Sequence, residues 1–358
     1  MSYTVHLHLT MYINKNTLFF NKGKFFWLAF ILISLGACQT DEPSINTDYT
    51  FIAPSHFPEA TYTFENNPIT EYGFKLGRKL FFDPILSIDN SVSCGNCHLQ
   101  QVAFADGPNH PVSVGVEDRI GIRNAPSLAN MAFFKEYFWD GGVTHLDFVP
   151  INAIESEFEM DETLSNVVDK LNQSDAYQAL FKEAFGVNTI TSPYLLHALS
   201  QFTLMMVSDK SKYDLYIRGE IDLSQQEMRG YQLFNQKCAT CHSGNLQTDF
   251  SYRNNGIDSI FSDVGRALIT EIVSDEGKFR VPSLRNVERT APYMHNAKFN
   301  SLKEVLDHYS SGIKQSSTLD PLLQEGIALS ENDKNDIIAF LGTLTDYDFI
   351  ADERFFAP

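Results

Sequence analysis

Two short strings constrain this chain more than anything else in it: Cys94-Gly95-Asn96-Cys97-His98 and Cys238-Ala239-Thr240-Cys241-His242. Cys-x-x-Cys-His is the attachment motif for c-type haem. The two thiols add to the haem vinyl groups, and the adjacent histidine reaches the iron as proximal ligand. Two other chemistries use paired cysteines. Zinc ribbons set their Cys-x-x-Cys units roughly 15–20 residues apart. Here the units begin 144 residues apart, and each carries the extra histidine. Thioredoxin-like redox motifs need a βαβ pattern, which this sequence lacks. Two covalent haem c groups are the reading that uses every residue of both strings.

The fifth cysteine, Cys38, ends a leader. Lys15, Lys22 and Lys24 precede an apolar run from Phe25 to Leu35. That run is too short to span a bilayer and fits a signal-peptide core. Its end, Leu35-Gly36-Ala37-Cys38, resembles a bacterial lipobox, whose cysteine becomes the first mature residue and carries lipid. Residues 1–37 therefore read as a lipoprotein signal peptide, with Met11 as an alternative start. Residues 38–65 read as a tether to a bacterial membrane on its periplasmic side. Covalent haem is attached outside the cytoplasm, which agrees with the leader. All five cysteines are then engaged, and no disulfide is expected. The 358-residue length suggests two domains, and 43% hydrophobic with 20% charged residues is a globular balance. A net charge of −18 excludes a nucleic-acid binder and steers cationic partners.

Periodicity points to an all-α protein. Tyr72, Leu76 and Leu80 recur at helical spacing, with Gly73 and Gly77 allowing close approach, and Asp83-Pro84 closes that helix. Residues 107–130 are rich in Gly, Pro and Asn and read as loop. Residues 161–185 read as one or two helices, and Pro193 opens an apolar helix towards Val207. His197 in that helix reads as a core histidine. Ser224-x-x-Glu227 is a capping box starting the helix into the second motif. Ser330-x-x-Asp333 starts the last helix, where Ile337, Ile338, Leu341 and Leu344 make an apolar face. The expected architecture is two cytochrome c-like domains, residues 66–215 and 216–358, each with one covalent c-type haem.

Several blocks narrow this further: Gly77-Arg-Lys-Leu-Phe-Phe-Asp-Pro84, Arg123-Asn-Ala-Pro-Ser127, Phe138-Trp-Asp-Gly141, Glu159-Met160, Phe279-Arg-Val-Pro-Ser-Leu-Arg-Asn286 and Thr290-Ala-Pro-Tyr293. From about residue 70 to 345 the chain resembles the bacterial diheme cytochrome c peroxidases, a family that includes MauG, the diheme enzyme that completes a tryptophan-derived quinone in a partner protein. In that family a glutamate 20 residues after the Trp-Asp-Gly tryptophan does acid–base work on peroxide at the first haem. Glu159 matches it. Val149 stands where the peroxidases carry a glutamine. Reductively activated members have a blocking histidine after a Ser-x-Gly; this chain reads Ser113-Val-Gly115-Val116, and valine cannot ligate iron. His110 is a candidate substitute. The resemblance thus implies a first haem five-coordinate at rest, with His98 proximal.

At the second haem, His242 is proximal. The family's other ligand falls at Tyr309, where peroxidases have methionine and MauG has tyrosine; Met294 is the alternative. Trp139 matches the tryptophan that relays electrons between the haems. Asn124, Thr290 and Pro292 match the protein ligands of an interhaem Ca2+ ion, and an all-oxygen set suits calcium; Asn124 as a plain turn residue is the competing reading. The resemblance implies reduction of hydrogen peroxide with electrons from a small donor protein, a cytochrome c or cupredoxin. Alternatives are MauG-like oxidation of a partner protein's residues and a non-catalytic diheme electron carrier.

Overall fold

The structure is a computed structural model that describes residues 49–107 and 111–358. The leader, Cys38 and His110 lie outside the described residues. The described residues form one compact unit.

Helices and loops make nearly all of it. Helix α1 (Glu71–Phe82) starts at Thr70, whose hydroxyl accepts the Gly73 N–H, and stops before Pro84. A single turn, α2 (Cys94–Cys97), holds the first motif, and α3 spans Val149–Glu155. The stretch expected to hold one or two helices holds two, α4 (Leu164–Asn172) and α5 (Asp175–Phe185). Helix α6 (Ser192–Leu204) ends a little before the expected Val207. Then come α7 (Lys212–Ile217), α8 (Gln225–Lys237), α9 (Ala267–Thr270), α10 (Leu302–Asp307), α11 (Glu331–Gly342) and α12 (Tyr347–Ile350). Both predicted capping boxes are present, Ser224 with Glu227 and Ser330 with Asp333. The one sheet among the described residues pairs two short antiparallel strands, β1 (Tyr252–Arg253) and β2 (Phe279–Arg280).

Each haem-motif region is framed by a pair of crossing helices, and a glycine sets each crossing. On α1, a methyl group at Gly77 would lie 1.9 Å from the Ala198 carbonyl oxygen of α6. On α8, one at Gly230 would lie 1.9 Å from the Asp336 carbonyl oxygen of α11. The helix backbones thus pack without intervening side chains. Around the first crossing Phe74, Phe81, Phe104 and Phe202 form an aromatic core. Around the second, Phe234, Ile337, Phe340, Leu341 and Leu344 are buried together, with Ile338 half-buried beside them.

The first and last described segments tie these regions together. Phe349 and Phe355, at the carboxyl end, pack against Phe104 in the first core. Near the first described residues, His56 Nε2 lies 2.9 Å from buried Asp214, which also pairs with Arg285. Arg285 stacks over the Phe57 ring.

Candidate active site at two haem motifs

At the first motif, Asn96 Oδ1 accepts the Ser93 N–H at 2.9 Å and closes a capping box on α2. Gly95 lets the Phe82 ring sit against this turn. The next residue, His98, bonds through Nδ1 to the Phe104 carbonyl at 2.7 Å. A carbonyl oxygen only accepts, so Nδ1 carries the proton and the Nε2 lone pair is left for a metal. Burial holds the His98 pKa below its ordinary value, which keeps the ring neutral.

The second motif repeats this chemistry. Helix α8 runs into Cys238, and His242 Nδ1 bonds to the Gln247 carbonyl at 3.1 Å. The Pro282 carbonyl also bonds that ring. Both motifs thus present two free thiols and a histidine turned for ligation, which is what covalent haem c requires. Sequence reasoning could not name Phe104, Gln247 or Pro282, because each acts through a backbone carbonyl.

Glu159 lies in the turn after α3, with its N–H on the Ser156 carbonyl. Its charge reaches Cys94 and Cys97, so it stands beside the first motif. Burial pushes its pKa from 4.5 up to about 7. A hairpin over residues 113–121 grips this turn. Val116 is 0% exposed and donates its N–H to the Glu159 carbonyl at 2.8 Å. Gly115 approaches so closely that a methyl group there would lie 2.3 Å from the Phe158 oxygen. Arg119 bonds the Glu157 carbonyl at 2.7 Å and Asp161 at 2.7 Å. Val149 is half-buried at the start of α3. A second carboxyl, Asp106, is buried beside Cys97, and burial lifts it to about 7. The sequence reading missed it, although its place in Phe104-Ala-Asp-Gly107 was a signal.

Tyr309 sits on a short π-helical turn, His308–Gly312. Burial pushes its hydroxyl up to about 12, opposed by a hydrogen bond from Asn255. The charges of Cys238 and Cys241 reach it, so it stands at the second motif. Asn255 also donates to Met294 Sδ at 3.2 Å, so one amide gathers both ligand candidates. His308 instead bonds the Asn255 carbonyl at 3.0 Å. His197 lies 3.5 Å from Asp147, as expected of a structural histidine.

Trp139 bridges the two motif regions. Its indole N–H donates to the Asn124 carbonyl at 2.8 Å, and its own carbonyl accepts the Arg280 N–H at 2.7 Å. Arg123, next to Asn124, pairs with Asp140 at 2.5 Å and Asp263 at 2.6 Å. The Asn124 N–H donates to the His295 carbonyl at 2.7 Å, which brings Asn124 against the segment carrying Thr290 and Pro292. Close by in sequence, Asn296 Oδ1 is buried with no hydrogen-bond partner. A buried amide oxygen without a hydrogen-bond donor is the kind of hard ligand a cation such as calcium takes.

Residues 71–222 match the family described as di-haem cytochrome c peroxidase, and residues 227–345 match cytochrome c. The chain is 32% identical to the methylamine utilization protein MauG of Methylophilus methylotrophus, over 78% of this chain and 84% of that protein. It is 31% identical to the cytochrome c551 peroxidase of Pseudomonas aeruginosa, over 80% and 83%. A solved MauG-like protein associated with microbial copper homeostasis superposes with a TM-score of 0.80 at 32% identity, covering 87% of this chain and 99% of that one. The two motif regions are thus cytochrome c-like domains, and the chain belongs to the di-haem cytochrome c peroxidase and MauG family of haem oxidoreductases.

Proposed function

We propose that this protein reduces hydrogen peroxide, converting peroxide, two protons and two electrons to two waters, with electrons from a small cytochrome c or cupredoxin. The observation that carries this reading is Glu159, a desolvated carboxyl with a pKa near 7 beside the first haem motif. When bound, the haems would supply a peroxide-binding iron at Cys94, Cys97 and His98, and an electron-receiving iron at Cys238, Cys241, His242 and Tyr309. Glu159 takes a proton from one peroxide oxygen and returns it to the leaving oxygen. Phe104 holds His98 from behind through its carbonyl. Val116, which has no atom that can ligate iron, stands where reductively activated members carry the blocking histidine. Trp139 relays electrons between the motifs. Asn124, Thr290 and Pro292 hold calcium between them, and lipidated Cys38 anchors the protein on the periplasmic side of the membrane.

The test is the spectrum of the oxidised protein before and after peroxide. It should show one high-spin and one low-spin haem and react without prior reduction. A protein inert until one electron is added would show that another residue blocks the first iron. Two six-coordinate irons would favour a plain electron carrier.

A second reading, MauG-like oxidation of residues on a partner protein, is favoured by Tyr309 standing at Cys238 and Cys241. Steady-state peroxide consumption with a reduced donor protein separates the two. A protein that reacts with peroxide but is not turned over by any reduced donor fits the second.

A further inference from the structure

Arg280 is the most conspicuous unsatisfied group among the described residues. It is 6% exposed, and its Nη1 is buried with no hydrogen-bond partner. Its Nε donates to the Phe138 carbonyl at 3.2 Å, and the guanidinium lies 5.0 Å from the centre of the Phe134 ring. Glu136 is the acid whose charge reaches it, but that carboxylate bonds Tyr252 at 2.7 Å and Arg266 at 3.3 Å. A guanidinium is always charged, and leaving it desolvated without an anion is strongly unfavourable. With Glu136 engaged elsewhere, no described residue supplies Nη1 with an acceptor.

The surroundings say which anion. Arg280 is on β2, whose next residue donates its N–H to the Ser251 carbonyl at 2.8 Å and accepts the Thr248 hydroxyl at 2.6 Å. Thr248 and Ser251 belong to the loop that follows the second motif. Two residues after Arg280, the Pro282 carbonyl bonds the His242 ring. The Arg280 backbone N–H holds Trp139. Arg280 thus stands between the proposed relay tryptophan and the proximal side of the second motif. We propose that Arg280 binds a propionate carboxylate of the second haem and holds it ionised beside Trp139. This rests on the reading that Cys238, Cys241 and His242 hold that haem.

No bond is made or broken; the contact is a charge-assisted hydrogen bond, which an arginine fork suits geometrically. A cation beside a haem disfavours its oxidised form. Its removal should lower that haem's potential, and the freed propionate should then titrate near neutrality.

The experiment is spectroelectrochemistry of the full diheme protein with Arg280→Gln and Arg280→Lys. In Arg280→Gln the midpoint potential of the second haem should fall and acquire a pH dependence between about pH 5 and 8. Arg280→Lys should keep most of the wild-type potential. Unchanged potentials in Arg280→Gln with both haems attached would overturn the proposal, as would a shift confined to the first haem. If Arg280→Gln does not fold, infrared difference spectra of wild type carrying 13C-labelled haem carboxyls decide. A propionate ionised at pH 5 supports the contact, and one protonated there overturns it. Cys238→Ala tests the underlying reading separately: a variant that keeps both haems covalently attached by both thioether links removes the second haem from this motif.

Discussion

Glu159 differs from an ordinary surface glutamate by its surroundings alone. The turn that carries it is covered by a hairpin, and the loss of water lifts its pKa to about 7. As a proton acceptor it is competent when ionised. The rate of reaction with peroxide should therefore rise with pH through about 7 and level off above it. Glu159→Gln should keep both haems, lose that limb, and lower turnover by roughly two or more orders of magnitude. Stopped-flow kinetics across pH 5–9 check both; wild-type turnover in the variant would remove Glu159 from the mechanism. Stability carries the opposite sign. A carboxyl whose folded pKa is raised stabilises the fold when protonated, and that contribution is lost as pH climbs from about 4.5 to about 7. Relative to wild type, Glu159→Gln should gain thermal stability between pH 5 and pH 8. Tyr309→Phe tests the other motif: it should abolish a low-spin tyrosinate signature and leave the first haem high-spin. An unchanged second-haem spectrum would hand that role to Met294, its neighbour on Asn255.

Elements act here through close backbone approach. The 113–121 hairpin covers Glu159 because Gly115 has no side chain to collide with the Phe158 carbonyl. Gly115→Ala should force the hairpin outward, admit water and shift the pH limb below 7, with haem content unchanged. Arg119→Gln, which removes the link to Glu157 and Asp161, should move it in the same direction by a smaller amount. Helix crossings obey the same rule. Gly230→Ala would place a methyl group inside contact distance of a backbone oxygen on α11, where relaxation requires moving a helix. Overpacking of this kind costs on the order of 1–3 kcal/mol, measurable by denaturant unfolding of the holoprotein.

Across the whole molecule, Arg123 connects the regions around both motifs. It pairs with Asp140, beside Trp139, and with Asp263, which lies beyond the second motif. Burial pushes the Asp263 carboxyl up, but the Arg123 hydrogen bond and charge, with the Gly265 N–H, together outweigh it and hold the carboxyl below its usual range. Arg123→Met leaves two partly buried carboxylates without their cation, and breaking such a pair typically costs about 3–5 kcal/mol. Thermal melting should show the loss, and electron transfer between the haems should slow, because Arg123 anchors the chain at Asp140, next to Trp139, and adjoins Asn124, whose carbonyl accepts the indole N–H. The closing segment gives a further link, since Phe349 and Phe355 return from the carboxyl end to the first core.

Sequence alone determined what depends on residue type at fixed spacing. Two Cys-x-x-Cys-His strings named the cofactor, capping boxes placed helix starts, and helical periodicity placed the cores. Covalent attachment and capping are local chemistry, and their geometry is set within a few residues. Glu159, Trp139 and Tyr309 were singled out only through family resemblance, since nothing local separates Glu159 from Glu155 and Glu157 beside it. Only the tertiary structure decided which of these acids loses its water, because burial depends on what packs around the turn, here including the 113–121 hairpin bonded to its backbone. It alone decided that carbonyls of Phe104, Gln247 and Pro282 orient the two histidines, since every residue carries a carbonyl and type says nothing of its use. It alone left Arg280 buried with an unpartnered Nη1, because a missing partner is a property of three-dimensional surroundings and not of spacing along the chain.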